Sequence, residues 1–347
     1  MKKKALKVFS IICVTAVLAL MLPVIAGCAA TETETEQEQE QKEEVTVYKI
    51  GISQLVTHPA LDATKDGIVK GLNDKGYIEG ENTEVDYQNS ELDMSLTASI
   101  AQKFVSDGVD IIVCIATPNS QAAISATEGT DIPVVFSAIT DPVGSDMVSS
   151  WDNHSEQNVT GVSDMIVVGD DVNLILEILP DVETIGTLYN AGESNSVFLT
   201  EKLNEACSAL GIEVIEQTVS TSADILAASN ALVGKVDAIW IGTDNTVVSG
   251  LEALIGVCED NDIPLFPADD PSIERGGIAC YGFDYYDIGV QTGWMVAKIL
   301  DGDGTANNVP VEKGEIINLS INTAAAERMG ITIPQAVIDK AKTVYEE

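Results

Sequence analysis

The sequence predicts an α/β protein built from two doubly wound, Rossmann-like lobes, joined by a hinge that the chain crosses more than once. Three observations support this fold class. Several apolar runs are continuous, as in parallel strands that are buried on both faces. Segments with helical apolar spacing separate these runs. The same order of strands and helices occurs twice along the chain, and such alternation is typical of doubly wound sheets.

The N-terminal segment has the pattern of an export signal. A lysine-rich start precedes an apolar run over residues 8–25, and small residues follow before Cys28. This order is typical of a secretory signal, and a Cys directly after Ala-Gly resembles the lipobox of bacterial lipoproteins. An uncleaved membrane anchor is the alternative, because the run is close to the minimum length of a spanning helix. We expect residues 1–27 to be a lipoprotein signal peptide and Cys28 to carry the lipid, including palmitate.

The segment after Cys28 is acidic and lacks large apolar residues, reading TETETEQEQEQKEE over residues 31–44. Such a segment buries too little apolar surface to offset the entropy of ordering it. We therefore expect residues 28–44 to be a disordered, self-repelling tether. The folded part is expected to begin near Val45.

Two pairs of similar segments account for the predicted elements. In the first pair, IGISQLVTHPALDATKDGIVKGLNDKGY begins at Ile50 and IGTLYNAGESNSVFLTEKLNEACSALGI begins at Ile185. Each runs from a strand through a polar loop into a helix that ends at a Gly. In the second pair, VDIIVCIATPNS begins at Val109 and VDAIWIGTDNTV begins at Val236, and further apolar runs start at Ile132 and Ile263. Helical spacing is expected over residues 92–105, 200–210 and 247–258.

The repeats suggest the boundaries of the lobes. We expect lobe 1 to contain residues 45–162 and about 285–318, and lobe 2 to contain residues 163–284 and about 319–347. The candidate crossings between the lobes are residues 161–164, 281–286 and 318–322. Two lobes that close around a cleft at a hinge form a common device for trapping a ligand.

Charge and composition exclude several classes of partner. The chain has 347 residues with 55 acidic and 18 basic side chains, a formal net charge of −37. This balance argues against nucleic acid and anionic lipid surfaces as partners. Cys114, Cys207, Cys258 and Cys280 form no C-x-x-C pattern, and Cys114 lies in an apolar run where a small buried side chain is expected. A disulfide among the four stays open. With only two His and no Cys/His cluster, we expect neither a metal site nor a cofactor.

Polar loops follow the predicted strands, and ligands of doubly wound sheets bind beyond the carboxyl ends of the strands. The loops cover residues 53–59, 117–120, 137–142, 192–196, 243–246 and 269–272. The candidate ligand-binding residues are Gln54, His58, Thr117, Pro118, Ser137, Asp141, Ser194, Asn195, Ser196, Asp244, Asn245, Asp269 and Tyr285. Each polar candidate has a purely structural alternative as a helix cap or turn residue.

Roles follow from the chemistry of these side chains. Helix N-terminal amides and hydroxyls at residues 194–196 and at Thr117 suit a ligand carboxylate, with Thr117 as the N-cap before Pro118. Asp244 is the first choice for a ligand ammonium, and Asp141 is the second.

Aromatic and rim positions are less specific. Gln54, Phe136, Tyr281 and Tyr285 offer a flat wall for an apolar ligand side chain, although Tyr285 equally suits packing at the hinge. His58 either contacts the ligand or lies exposed at the rim of the cleft.

Five segments also resemble a known family. FSAITDPVGSDMV, NVTGVSD, LYNAGESNSV, KVDAIWIGTDNTVVSGLEAL and YGFDYYDIGVQTGWMVAKILDG occur in order between Tyr48 and the end of the chain. They resemble the ABC-transporter substrate-binding lipoproteins grouped as tryptophan/tyrosine-binding. The resemblance implies the type I periplasmic-binding-protein fold and a cleft lined by the loops named above. It also implies delivery of an aromatic or other apolar L-amino acid to a membrane permease. The expected form is a monomer, lipid-anchored on the extracytoplasmic face of the membrane.

Other functions are less consistent with the residues. No G-x-S-x-G, Walker or G-x-G-x-x-G motif is present, and His154 lies in a polar stretch typical of a surface loop, so an enzyme is not expected. A DNA-binding regulator of the same fold conflicts with the export signal and the negative charge. A ligand-sensing partner of a membrane receptor, or a protein for a different small solute, remains an alternative.

Overall fold

The computed structural model describes residues 46–152, 157–315 and 317–346. Cys28, the predicted lipid attachment site, and His154 lie outside these residues, as do the predicted signal peptide and tether. None of the helices in the described ranges is long and apolar enough to cross a membrane.

The first sheet is parallel and has six strands. They are β1 (Tyr48–Gln54), β2 (Thr83–Asn89), β3 (Ile111–Ile115), β4 (Val134–Ile139), β5 (Val159–Ser163) and β11 (Glu312–Lys313). Their order across the sheet is β11-β5-β4-β3-β1-β2. Every residue of β3 is buried, which explains its continuous apolar sequence.

The second sheet is parallel and has four strands. They are β6 (Thr184–Asn190), β7 (Glu213–Val219), β8 (Ala238–Ile241) and β9 (Leu265–Pro267), in the order β7-β6-β8-β9. This order repeats β2-β1-β3-β4 of the first sheet. The internal repeat in the sequence therefore corresponds to a repeated topology, and the predicted α/β class with two lobes is confirmed.

A third, smaller sheet completes the structure. It contains β10 (Ala279–Phe283), β12 (Ile317–Asn322) and β13 (Thr343–Tyr345), with β10 antiparallel to β12 and β12 parallel to β13. Residues 318–322, the third candidate crossing, lie inside β12. The chain leaves the first sheet after β11 and pairs with β10 at β12, and the exact position of this third crossing stays a prediction.

Helices connect the strands. They are α1 (Pro59–Asp74), α2 (Met94–Asp107), α3 (Thr117–Ala126), α4 (Val168–Ile178), α5 (Ser194–Leu210), α6 (Ile225–Leu232), α7 (Asn245–Ser249), α8 (Leu251–Asp260), α9 (Asp270–Arg275), α10 (Tyr285–Leu300), α11 (Thr323–Arg328) and α12 (Gln335–Ile338). A 3-10 turn at Ser222–Asp224 precedes α6. The helices predicted over residues 92–105 and 200–210 correspond to α2 and α5. The one predicted over residues 247–258 is divided at Gly250 into α7 and α8.

Helix α10 returns the chain to the first sheet and packs directly on α1. A Cβ placed on Gly71 would lie 2.3 Å from the carbonyl oxygen of Val290, and one on Gly289 would lie 2.1 Å from that of Thr64. Only glycine permits backbones to approach this closely. The connections after β5 and β10 therefore both pass between the lobes, and the exact lobe boundaries given above stay a prediction.

The core is built from the strands and the inner faces of these helices. Trp240, Phe104, Phe136 and Phe266 are the largest fully buried side chains. All four cysteines in the described residues are buried free thiols, so Cys114 packs as the small apolar side chain that its sequence context predicts. Burial raises the pKa of the Cys207 thiol to about 11 and that of Cys258 to about 12.

Candidate functional site

A cavity lies where the carboxyl ends of the strands of both parallel sheets face each other. The cavity is small, with a volume of about 20 Å³. The lining residues come from the segments after β1, β3, β4, β5, β6, β8, β9 and β10. They are His58, Ala60, Leu61, Thr117, Ala138, Thr140, Asp164, Asn195, Thr243, Asp244, Asn245, Val248, Asp269 and Tyr285.

The structure brings about half of the sequence-predicted residues to this cavity. These are His58, Thr117, Asn195, Asp244, Asn245, Asp269 and Tyr285. Helix α3 begins at Thr117 and its N-cap is Ala116, so the prediction of Thr117 as N-cap is wrong by one residue. Asp244 caps α7 by accepting a hydrogen bond from Val247 N, and that predicted cap is confirmed.

The buried candidates among the others make internal contacts beside the cavity. Gln54 donates to Asp62 Oδ1 at 2.6 Å and accepts from the Tyr87 hydroxyl at 3.1 Å. The Ser137 hydroxyl lies 2.7 Å from that of Thr292 on α10, and Pro118 is buried in the first turn of α3. These side chains support the site but do not line the cavity.

The remaining candidates, among them the buried Ser196, also make contacts outside the cavity lining. Asp141 Oδ1 accepts from Gly144 N at 2.9 Å and closes a turn, and Ser196 accepts from Asn195 Nδ2 at 3.3 Å. Ser194 lies 3.3 Å from Ser145 Oγ. Of the predicted aromatic wall, Phe136 is fully buried in the core and Tyr281 is half-buried away from the cavity, so only Tyr285 reaches it.

Sequence reasoning missed several lining residues. They are Ala60, Leu61, Ala138, Thr140, Asp164, Thr243 and Val248. Thr140 and Thr243 lie in loops that the sequence did single out, and Asp164 lies at the first candidate crossing. Leu61 and Val248 occupy helical positions that look like ordinary core residues, so no sequence signal distinguishes them.

Buried hydrogen-bond acceptors concentrate around the cavity. Asp164 Oδ1, Asp269 Oδ2, Asn195 Oδ1 and His58 Nδ1 are all buried and have no hydrogen-bond partner within the described residues. Asn195 donates its amide hydrogen to Thr243 O at 3.0 Å, which leaves its oxygen as an acceptor. Since buried polar atoms nearly always have partners, this concentration indicates a ligand-recognition site.

Two carboxyl groups of the site, those of Asp164 and Asp269, have raised pKa values. Asp164 accepts from the Tyr285 hydroxyl at 2.9 Å, and burial raises the pKa of Asp164 to about 6. Burial also raises the pKa of Asp269, whose other oxygen accepts from Ser272 N at 3.0 Å. The lining contains no Lys or Arg that would neutralise these groups. A cationic ligand group would favour their ionised form.

Asp244 and Glu193 hold the loops of the second sheet in place. Besides capping α7, Asp244 accepts from Asn190 N at 2.6 Å, so both of its oxygens are occupied by backbone amides. Burial and the neighbouring Glu193 carboxylate raise the pKa of Asp244. Glu193 is the N-cap residue of α5 and also accepts from the amides of Asn245 and Thr246 at the start of α7.

Polar contacts join the two parallel sheets across the cavity. His58 Nε2 lies 3.3 Å from Asn245 Oδ1, and Thr140 Oγ1 lies 3.4 Å from Thr243 Oγ1. At the edge, Gln121 Nε2 donates to Ser194 Oγ at 3.5 Å. The two lobes are therefore in contact around the cavity, which corresponds to a closed arrangement.

Backbone strain occurs beside the cavity. Ala116 has φ 78° and ψ 156°, and Ala138 has φ 56° at an irregularity in the pairing of β4 with β5. Non-glycine residues rarely adopt such conformations, and they cluster at functional sites. Within the described residues, no cluster of His, Cys, Asp and Glu has the form of a metal site.

Two lobes, a cavity at the carboxyl ends of their strands and a hinge between them define a solute-binding protein. Residues 49–345 match the family model of the ABC transporter substrate binding protein, and the chain belongs to this family. Its members are extracytoplasmic and bind solutes; the family is not one of enzymes.

Individual relatives agree with this assignment. The chain is 39% identical over 273 residues to a tyrosine-binding protein of Clostridioides difficile, covering 79% of this chain and 78% of the relative. It is 36% identical to a Streptococcus pneumonia ABC domain solved in complex with L-Trp, with a TM-score of 0.82, covering 86% of this chain and 100% of the other. A ligand-free, open substrate-binding protein with adhesive properties from Clostridium difficile is 37% identical with a TM-score of 0.65, covering 87% and 100%.

The last two comparisons also describe the conformation. The sequence identities are nearly equal, yet the TM-score is 0.82 with the L-Trp complex and 0.65 with the open protein. The contacts across the cavity agree with a closed arrangement of the two lobes.

Proposed function

We propose that this protein binds an L-amino acid with an aromatic or other apolar side chain and delivers it to an ABC permease. The observation that carries the proposal is the set of buried, unpartnered oxygens on Asp164, Asp269 and Asn195. Three acceptors in a lining without Lys or Arg suit an ammonium group, which has three donors.

The rest of the lining is consistent with the remainder of an amino acid. The hydroxyls of Thr117, Thr140 and Thr243 offer donors for a carboxylate, and α3 begins at Thr117, where its first amides point out of the helix. Leu61 and Val248 offer apolar surface. The relatives that bind tyrosine and L-Trp support this ligand class.

A ligand screen tests the proposal. The protein lacking residues 1–44 should show a higher melting temperature with tyrosine or tryptophan, because a ligand that binds only the native state stabilises it. Indole-3-propionate, which lacks the ammonium group, should give no shift. If none of tyrosine, tryptophan, phenylalanine or the branched-chain amino acids raises the melting temperature or gives heat in calorimetry, the proposal is wrong.

Single substitutions test the ammonium partners. Asp269→Asn and Asp164→Asn should each weaken amino-acid binding at least about tenfold, since a charged hydrogen bond is worth about 1.5–3 kcal/mol. Asp181→Asn, in an exposed turn before β6, makes the same change of charge away from the cavity and should leave affinity unchanged. Unchanged affinity in both cavity variants would show that the ligand ammonium binds neither Asp164 nor Asp269.

We further propose that the protein is a monomeric lipoprotein anchored through Cys28. The lysine-rich start, the apolar run and the Ala-Gly-Cys exit support this. The full chain expressed in a bacterium should incorporate an alkyne-labelled palmitate and sediment with membranes, and Cys28→Ala should abolish labelling. Labelling that persists in this variant would exclude Cys28 as the attachment site.

A further inference from the structure

A chain of three buried side chains, Glu193, Asn245 and His58, runs from the second sheet to the first across the cavity. We propose that this chain fixes His58 as a hydrogen-bond acceptor, so that His58 selects ligands whose side chain carries an N–H or O–H donor. The inference rests on the proposed function and deepens it, because it separates tryptophan and tyrosine from phenylalanine and the aliphatic amino acids.

The first step is the orientation of Asn245. Glu193 Oε1 accepts from Thr246 N at 3.1 Å and Thr246 Oγ1 at 2.8 Å, while Oε2 accepts from Asn245 N at 3.3 Å and Asn245 Nδ2 at 2.6 Å. A carboxylate can only accept hydrogen bonds. The amide NH₂ of Asn245 must therefore face Glu193, and its oxygen must face away from it.

The second step is the proton position on His58. Asn245 Oδ1 lies 3.3 Å from His58 Nε2. A carbonyl oxygen only accepts, so Nε2 carries the hydrogen. Burial lowers the pKa of His58 to about 4, so the ring is neutral near pH 7 and holds one proton. Nδ1 is therefore a lone-pair acceptor.

The third step is the need for a donor from the ligand. His58 lines the cavity and is 7% exposed, and Nδ1 is buried with no partner among the described residues. The oxygens of Asp164, Asp269 and Asn195 match the three donors of an ammonium group in number. His58 Nδ1 is thus available for a fourth donor, such as an indole N–H or a phenol O–H.

A ligand without that donor would leave a buried acceptor unsatisfied, which costs about 1–3 kcal/mol, or about 5- to 150-fold in affinity. Tryptophan should therefore bind at least about fivefold more tightly than 3-benzothienyl-L-alanine, in which sulfur replaces the indole N–H. Tyrosine should exceed phenylalanine by a similar factor. His58→Leu removes the acceptor and should bring both affinity ratios close to one.

The tautomer itself can be observed. The chain contains only two histidines, so His154→Ala assigns their imidazole ¹⁵N signals unambiguously. We expect His58 to be the neutral Nε2–H form without ligand, and tryptophan to shift its Nδ1 signal. Glu193→Ala removes the acceptor that orients the Asn245 amide, so we expect His58 to become a mixture of the two neutral forms. A purely structural role of Glu193 would not move this signal.

The outcomes separate the two proposals. If no amino acid binds the unmodified protein, both proposals are overturned. If tryptophan binds and its sulfur isostere binds equally well, or His58 is found as Nδ1–H in the unmodified protein, only the inference about His58 is overturned. A His58→Leu variant that folds and keeps both original affinity ratios would also overturn only the inference about His58.

Discussion

Asp171 is a buried carboxyl group outside the ligand cavity. It accepts from Trp240 Nε1 at 3.2 Å and from Tyr281 N at 3.3 Å, and its residue is 4% exposed. Burial raises the pKa of Asp171 to about 7. The folded protein therefore holds a proton at Asp171 that the unfolded chain releases above its ordinary pKa.

This difference predicts a pH dependence of stability. Between pH 4 and pH 7 the native state binds more protons than the unfolded state at this residue, so the free energy of unfolding falls as pH rises, by up to about 4 kcal/mol. Urea unfolding at pH 5 and pH 8 should show a clearly smaller decrease for Asp171→Asn than for the unmodified protein. Asp181→Asn serves as control, and equal decreases in all three proteins would contradict the prediction.

Asp244 is, in the structure, a capping residue with both oxygens occupied. Asp244→Ala removes the N-cap of α7 and leaves Asn190 N without its acceptor, so we expect a loss of about 2–4 kcal/mol in unfolding free energy. Asp93→Ala removes an exposed cap of α2 and should cost only about 1 kcal/mol. Denaturant unfolding measures both, and a smaller loss for Asp244→Ala would contradict its double role.

At the scale of elements, the crossing of α1 and α10 leaves no room for a side chain larger than that of glycine. Gly67 and Gly71 on α1 face Gly289 and Gly293 on α10, and a Cβ added to any of the four would lie within 2.4 Å of a backbone oxygen. Backbone atoms cannot move aside as a flexible side chain can. The crossing holds α10, which follows the second connection between lobes, firmly on the first sheet.

A matched pair of substitutions tests this crossing. Gly71→Ala should destabilise the protein by about 3 kcal/mol or more through overpacking. Gly256→Ala, in the middle of α8, meets no atom within 4 Å and should stabilise the protein by about 0.5–1 kcal/mol through helix propensity. Thermal or urea unfolding would show the two changes with opposite signs; the same sign for both would refute the packing argument.

At the scale of the whole molecule, closure depends on polar contacts between lobes and on the ligand. Ser194 begins α5 and contacts Ser145 Oγ at 3.3 Å and Gln121 Nε2 at 3.5 Å across the edge of the cavity. Asp164 lies directly after β5, at a connection between lobes, and bonds to Tyr285, which directly follows the other connection. A ligand that binds Asp164 therefore acts on the hinge itself.

Loss of an edge contact should release the ligand faster. Ser194→Ala removes hydrogen bonds made only in the closed arrangement, so the dissociation rate should rise about 2- to 10-fold with little change in association. Ser208→Ala, an exposed position on the same helix, is the control. Stopped-flow fluorescence with tryptophan measures both rates, and an effect confined to association would contradict a role in closure.

Much of the fold was predictable because the signals are local. Continuous apolar runs identified β3, β4 and β8, and apolar spacing identified α2 and α5. The pairing of β12 with β10 was not predicted, because the two strands are more than 30 residues apart and β12 alternates polar and apolar residues. Such pairing has no local signature.

The sequence by itself determined the repeated strand-helix order, and therefore the two similar sheets and the edge at which their loops meet. Only the tertiary structure decided which loop residues line the cavity. Asp244 has its oxygens occupied by amides that include one 54 residues away, whereas Asp164 and Asp269 keep one oxygen without a partner. Hydrophobic periodicity is a property of neighbouring residues, but the satisfaction of a buried polar atom depends on groups brought together by the fold.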